Sequence, residues 1–278
     1  MGKSLTASPQ SLEHFLEEGV LADFRNSLFD PSKIVIAGVD IPEDVMKNVL
    51  DSLSHLQTPA NPLPPRETAQ YLGGDMKIPV RSASSLSLFI GFGAPGVDAG
   101  ADAPLCILNM LMGGGGAFSA GGPGKGMYSR LYRSVLNRHY WIENVNSSLS
   151  LYKDSSVFGI QADCDGAHGS HLAEVLVSEL KAMKTLSEAE LSRAKNLLKT
   201  NVFMNLETRN TQLEDLGRTT LLSGSYPSEE ELLKKIDGVS MSQVQDIVSK
   251  MLTQTPTVAS IGAVEKVPPH HAIARRFK

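Results

Sequence analysis

Seven histidines, two cysteines and one glycine-dense run are where chemistry could reside in this 278-residue sequence. A zinc peptidase sets two histidines and a glutamate at H-E-x-x-H or H-x-x-E-H, so that both rings reach one metal from a single helix face. Neither pattern occurs. HFLEE at 14–18 comes within one residue of the inverted form, with Glu18 where the second histidine belongs. His168 and His171, ahead of Glu174, have the spacing of a shared helix face, but no third ligand or base accompanies them, so they read as a solvated face. His270 and His271 follow two prolines and read as a surface tail. Cys106 and Cys164 sit in apolar settings without a C-x-x-C partner, which reads as two buried, reduced thiols. No nucleophile elbow G-x-S-x-G is present.

The glycine run is GGGGAFSAGGPGKG at 113–126, with eight glycines in fourteen residues. Glycine loses the most backbone freedom on ordering, so such a tract inside a compact domain points to function. It is not a phosphate loop. Gly126 stands where G-x-x-x-x-G-K-[ST] requires a hydroxyl, Ser119 stands at the first glycine position, and the preceding residues read as helix. What the tract offers is reach, adaptability and bare backbone that can pair with an extended peptide. Phe118 and Met127 add apolar contact and Lys125 a mobile charge.

Around it the elements read as follows. Apolar residues at helical spacing run through 9–28, then Pro31 precedes KIVIAGV, a buried-strand pattern. PEDVMKNVLDSL at 42–53 is a second amphipathic helix. QTPANPLPPRET holds four prolines in twelve residues and reads as an extended linker at a domain boundary. Strands follow at 69–80 and 85–97, helices at 101–112 and 127–138 on either side of the glycine run, and two strands at 140–152 and 155–165 joined near Lys153-Asp154. From 167 the chain is helical, with capping boxes at Ser187/Glu190, Ser228/Glu231 and Ser240/Gln243, and closes on the strand TVASIGAV. The order helix, proline, apolar strand thus occurs twice: Pro31 and Pro256 are 225 residues apart, Gly38 and Gly262 are 224 apart. Two domains of one type ending alike would give this echo.

Composition is that of a globular protein, 41% hydrophobic and 20% charged. A net charge of −4 carries no polybasic signature and argues against nucleic acid as a partner. No stretch is suited to spanning a membrane, and no signal or transit peptide is expected.

The run LNMLMGGGGAFSAGGPGKGMYSRLY resembles the glycine-rich loop of the α-subunit family of mitochondrial processing peptidases, within the pitrilysin-like metallopeptidases. ELSRAKNLLKTNVFMNLETR at 190–209, EDLGR at 214–218 and VLNRHYW at 135–141 are similar to that family too, and the likeness extends over about 10–265. The resemblance implies an α+β fold, a mainly antiparallel sheet packed against helices. It implies that residues 1–56 are the C-terminal tail of a first pitrilysin-like domain, 57–68 the linker, and 69–278 a complete second domain. It implies a non-catalytic subunit with no cofactor of its own, zinc being held by a partner β subunit. The partners it implies are that catalytic subunit and basic presequence peptides, in the mitochondrial matrix, with the inner membrane reached through a larger complex. The tract then becomes the substrate element, made of Gly113, Gly114, Gly115, Gly116, Phe118, Ser119, Gly121, Gly122, Gly124, Lys125 and Gly126. Related chains are structural core subunits of ubiquinol–cytochrome c reductase, which leaves that role as the alternative. Residues 10–56 should need a partner to cover their apolar faces.

Overall fold

The structure is a computed structural model that describes residues 6, 8–9, 12–13, 19–54, 67–116 and 128–278. The chain forms two compact units. One is Met1–Ala69 with Asn205–Tyr226, the other Gln70–Met204 with Pro227–Lys278. The stretch 205–226 therefore groups with the N-terminal residues. Most of the proline-rich linker lies outside the described residues.

The second unit is built on a six-stranded sheet in the order β1-β6-β2-β5-β4-β3. Its strands are β1 (Gly74–Pro79), β2 (Ser85–Pro95), β3 (Gly114–Gly116), β4 (Ile142–Leu151), β5 (Ser155–Asp165) and β6 (Thr257–Gly262). Only β1 and β6 run parallel, and the remaining pairs are antiparallel. This is the α+β, mainly antiparallel architecture that the sequence implied. Period-two alternation in β2 sends Leu86, Leu88, Ile90 and Phe92 to one face, where all four are fully buried. Opposite them on β5 stand Cys164, Ala162, Ile160 and Phe158, also fully buried. Each large side chain so buried contributes roughly 1.5–3 kcal/mol.

Helices cover that face. Of them, α3 (Asp102–Met112) packs on β4, α4 (Gly169–Ala182) on β5 and β2, and α8 (Met241–Leu252) on β2. The long α5 (Glu188–Leu206) and the short α7 (Glu229–Asp237) complete the layer. The expected capping boxes form: Ser228 and Ser240 each accept from the third backbone N–H of their helix, and Glu231 and Gln243 reach back. Ser187 and Glu190 make the same exchange at the start of α5.

The first unit holds α1 (Val20–Leu28), α2 (Glu43–Ser52) and α6 (Arg209–Ser223). Arg209 pairs with Asp40 at 3.0 Å, and Ala37 packs beside Gly217 of α6.

Three expectations are corrected. Residues 34–38 form no strand, because no described strand of this unit lies beside them to complete a ladder. The helix expected over 127–138 is a single π-helical turn, Tyr132–Leu136, entered through Arg130 and Leu131. Its wide turn carries the Asn137 N–H to the Tyr132 carbonyl at 3.1 Å and leaves Leu131 and Val135 both fully buried. The C-terminus is not a tail. It forms α9 (His270–Arg275), Ile273 is buried, His270 Nε2 lies 2.9 Å from the Pro256 carbonyl, and Phe277 meets Phe92 edge-on at 5.0 Å.

Candidate functional site

The glycine tract begins where α3 ends. Gly113 caps the helix, its N–H donating to the Asn109 carbonyl at 2.8 Å. Its φ of 57° is left-handed, and a Cβ there would lie 2.4 Å from Cβ of Ser129. Its carbonyl accepts from the Ser147 N–H at 2.8 Å and the Ser147 hydroxyl at 3.1 Å. The residue is thus fixed on three sides and admits only glycine. The next three glycines are not slack either. They form β3, pairing Gly114 with Asn146, Gly115 with Val145 and Gly116 with Asn144. β3 ends the sheet order, so among the described residues no strand lies on its outer side. An edge of bare glycine offers backbone N–H and C=O groups with no side chain in the way.

Of the tract residues singled out in the sequence, Gly113 caps α3 and Gly114, Gly115 and Gly116 form β3. Phe118, Ser119, Gly121, Gly122, Gly124, Lys125 and Gly126 lie outside the described residues.

The chain is described again from Tyr128, and within two residues it is anchored. Ser129 is buried against Gly113, so the described residues before and after 117–127 meet there. Arg130 then makes a bidentate pair with Glu190, at 2.8 Å from Nε and 2.9 Å from an NH2 group. The remaining guanidinium donors go to the carbonyls of Ala182, at 2.7 Å, and Thr185. This fork ties the tract to the turn between α4 and α5. The Arg130 hydrogen bonds, reinforced by Ser187, hold the Glu190 carboxyl down at about 2, against the opposing effect of burial. Spacing alone could not reveal this pair, which is 60 residues apart. The one local signal was Glu190 in its capping box.

Beside β3 the sheet face turned away from the helices is polar. Asn144 donates to Asp163 at 3.0 Å, Asn146 donates to Asn144 at 2.8 Å, and Gln161 donates to Ser87 at 3.2 Å. Asn144 and Asn146 stand directly opposite Gly116 and Gly114. Sequence reasoning passed over them, although polar residues at every second position in ENVNSS carry the signal.

The other chemistry-bearing residues do not converge. Among the described residues no three His, Cys, Asp or Glu groups are placed to share a metal ion. His168 stacks on Trp141 at 4.8 Å, His171 is exposed, and Glu174 pairs with Arg276 at 2.9 Å. His14, His55 and Glu18 lie outside the described residues. Both cysteines are free thiols, and burial pushes Cys106 up to about 11 and Cys164 up to about 12, out of reach of thiolate chemistry. The arrangement around β3 is suited to holding a peptide backbone.

A family model described as the peptidase M16 inactive domain matches residues 16–198. The chain is 36% identical to the mitochondrial-processing peptidase subunit alpha of Solanum tuberosum, over 100% of this chain and 55% of that protein. It is 34% identical to the same subunit of Bos taurus, over 93% of this chain and 52% of that protein. The chain spans about half the length of the curated relatives it matches. A solved structure titled complex III2 from Candida albicans, Inz-5 bound, contains a chain with the same fold, at a TM-score of 0.71 and 18% identity over 85% of this chain and 56% of that one. On the matched model, which covers well over half of its residues, the chain belongs to the peptidase M16 inactive-domain family.

Proposed function

We propose that this chain is the non-catalytic, substrate-recognising part of a mitochondrial processing peptidase, working in the matrix beside a zinc-bearing catalytic β subunit. The observation that carries this reading is the glycine tract, which opens as a strand with no neighbour on its outer side among the described residues, between Gly113 and the Arg130–Glu190 pair. A peptidase that cuts many unrelated presequences needs a tolerant binder. Backbone pairing to glycine is indifferent to the side chains of the bound peptide, and a rooted tract limits the ordering cost of each binding event. Asp163 and the asparagines beside β3 supply a mildly acidic face to basic residues of a presequence. The reaction itself belongs to the partner's zinc, which would activate water and polarise the scissile carbonyl.

The test is presequence cleavage by the chain combined with the catalytic β subunit and the part of an α subunit that this chain does not span. Residues 117–126 are shortened in one arm, leaving Gly113 and the strand Gly114–Gly116 unchanged. Loss of cleavage by tenfold or more with assembly intact is the expected result. Cleavage indifferent to the shortening would remove the recognition role and leave the structural role of a respiratory-complex core subunit.

A further inference from the structure

Three polar side chains on the sheet face turned away from the helices form a series with a direction. Asn144 on β4 donates through Nδ2 to Asp163 on β5 at 3.0 Å, and Asn146 donates through Nδ2 to the side-chain oxygen of Asn144 at 2.8 Å. An amide that donates through its nitrogen leaves its oxygen to accept. The series therefore starts at a carboxylate, passes through one amide and ends on Oδ1 of Asn146. Among the described residues nothing donates to that oxygen. Asp163 sets the order. An ionised carboxylate only accepts, so it holds both amides nitrogen-first and polarises each in turn. Exposure rises in the same direction, with Asp163 and Asn144 half-buried and Asn146 exposed.

The open end of the series belongs to the residue beside the glycine edge. Asn146 is paired with Gly114, and Asn144 with Gly116. In an ordinary antiparallel pair a side chain on the neighbouring strand would meet Asn146. Here that neighbour is glycine, and among the described residues no strand lies beyond it. A side chain that reaches the oxygen has to come from a strand laid along β3, two strand spacings or roughly 10 Å from β4. Serine, asparagine and histidine are too short for that span. Lysine and arginine have the length, donors only, and a positive charge that a carboxylate-anchored acceptor favours. The position beside Gly116 differs, because the Asn144 oxygen is already engaged by Asn146.

We infer that Asn146 is a specificity-determining residue that accepts from one lysine or arginine of a bound, extended peptide, at the peptide residue beside Gly114. Asn144 and Asp163 are positioning residues that orient its amide. The inference rests on the reading of β3 as the edge that a peptide joins, and it names the side-chain class selected at one position there.

The experiment uses the chain assembled with the catalytic β subunit and the part of an α subunit that this chain does not span. The partner's zinc is chelated, so that a tagged peptide is bound and not cut. An otherwise neutral, extended peptide with one arginine is compared with the same peptide carrying norleucine in its place. The arginine peptide should bind at least fivefold more tightly. Asn146→Leu and Asp163→Asn should each bring that preference below twofold, with the affinity for the norleucine peptide unchanged. Asn146→Asp, which moves the charge to the end of the series, should raise the preference at least threefold, an increase that a merely structural role would not give. Amide exchange at Gly114–Gly116 is followed in the same complexes. A preference below twofold in the unaltered chain, or one that all three variants leave unchanged, while the peptide slows these amides, would overturn the inference and leave the edge reading standing. No slowing with either peptide would remove the edge reading and this inference with it.

Discussion

The stretch from Val20 to Ser52 and the stretch from Met241 to Arg275 use one order of parts: a helix, a proline, a short apolar run, and a proline-begun helix. In the second stretch the apolar run is β6, held between two strands, and the helices bury their apolar faces. In the first, the run makes no ladder and Val45, Val49 and Leu50 face outward. Local pattern writes the same instruction in both places. What differs is the sheet beside it, which shows that a strand is a property of its neighbours as much as of its residues.

The sharpest way to break this comparison is to put a charge on one helix of each stretch. Val248 on α8 is fully buried, and Val248→Asp should cost more than about 4 kcal/mol and unfold the second unit in a urea titration. Val49 on α2 is 40% exposed, and Val49→Asp should change the stability of the isolated chain by less than about 0.5 kcal/mol. Equal effects would end the distinction between a finished and an unfinished layer. Next in size is the anchor of the glycine tract. Arg130→Ala takes the ion-pair partner from Glu190 and a charged donor from the carbonyls of Ala182 and Thr185, and should cost about 2 kcal/mol by the same titration. Gly113→Ala should cost about 1–2 kcal/mol, because the left-handed backbone and Ser129 both resist a Cβ. Gly116→Ala is its control and should be near neutral, since the nearest atom to a Cβ there is the Glu143 carbonyl oxygen at 4.0 Å.

The smallest effect is on pH dependence. Glu190 titrates below the ordinary carboxylate range, so its contribution is fully present above that range and is lost as pH falls toward about 2. Glu190→Gln should therefore lower stability near neutral pH and flatten the acid limb of the profile, the two proteins converging as pH falls toward about 2. An unaltered acid limb would show that the Arg130–Glu190 pair does not stabilise the root of the tract.

What could be read in the sequence was mostly local. Capping boxes are exchanges between residues three apart, so Ser228 with Glu231 and Ser240 with Gln243 were legible as written. The strands β2 and β5 announced themselves through apolar alternation. The glycine tract was visible as composition, but β3 within it was not. Glycine has poor strand propensity, and the partner Asn144–Asn146 lies some thirty residues onward. Arg130 and Glu190 meet only after the helices are packed. The C-terminal helix was hidden behind Pro268 and Pro269, which read as a break and serve instead as its start. The missing strand at 34–38 is the opposite case, a sound local signal without the tertiary partner that would realise it.

The measurement that bears most directly on the recognition role is amide exchange at Gly114–Gly116 in the assembled complex, with and without a basic, amphipathic presequence peptide. The account predicts that the peptide slows these amides at least tenfold, as a new strand pairs along the open side of β3, while the amides of β6 do not change. Unchanged exchange at Gly114–Gly116 in a complex that binds and cleaves the peptide would contradict it.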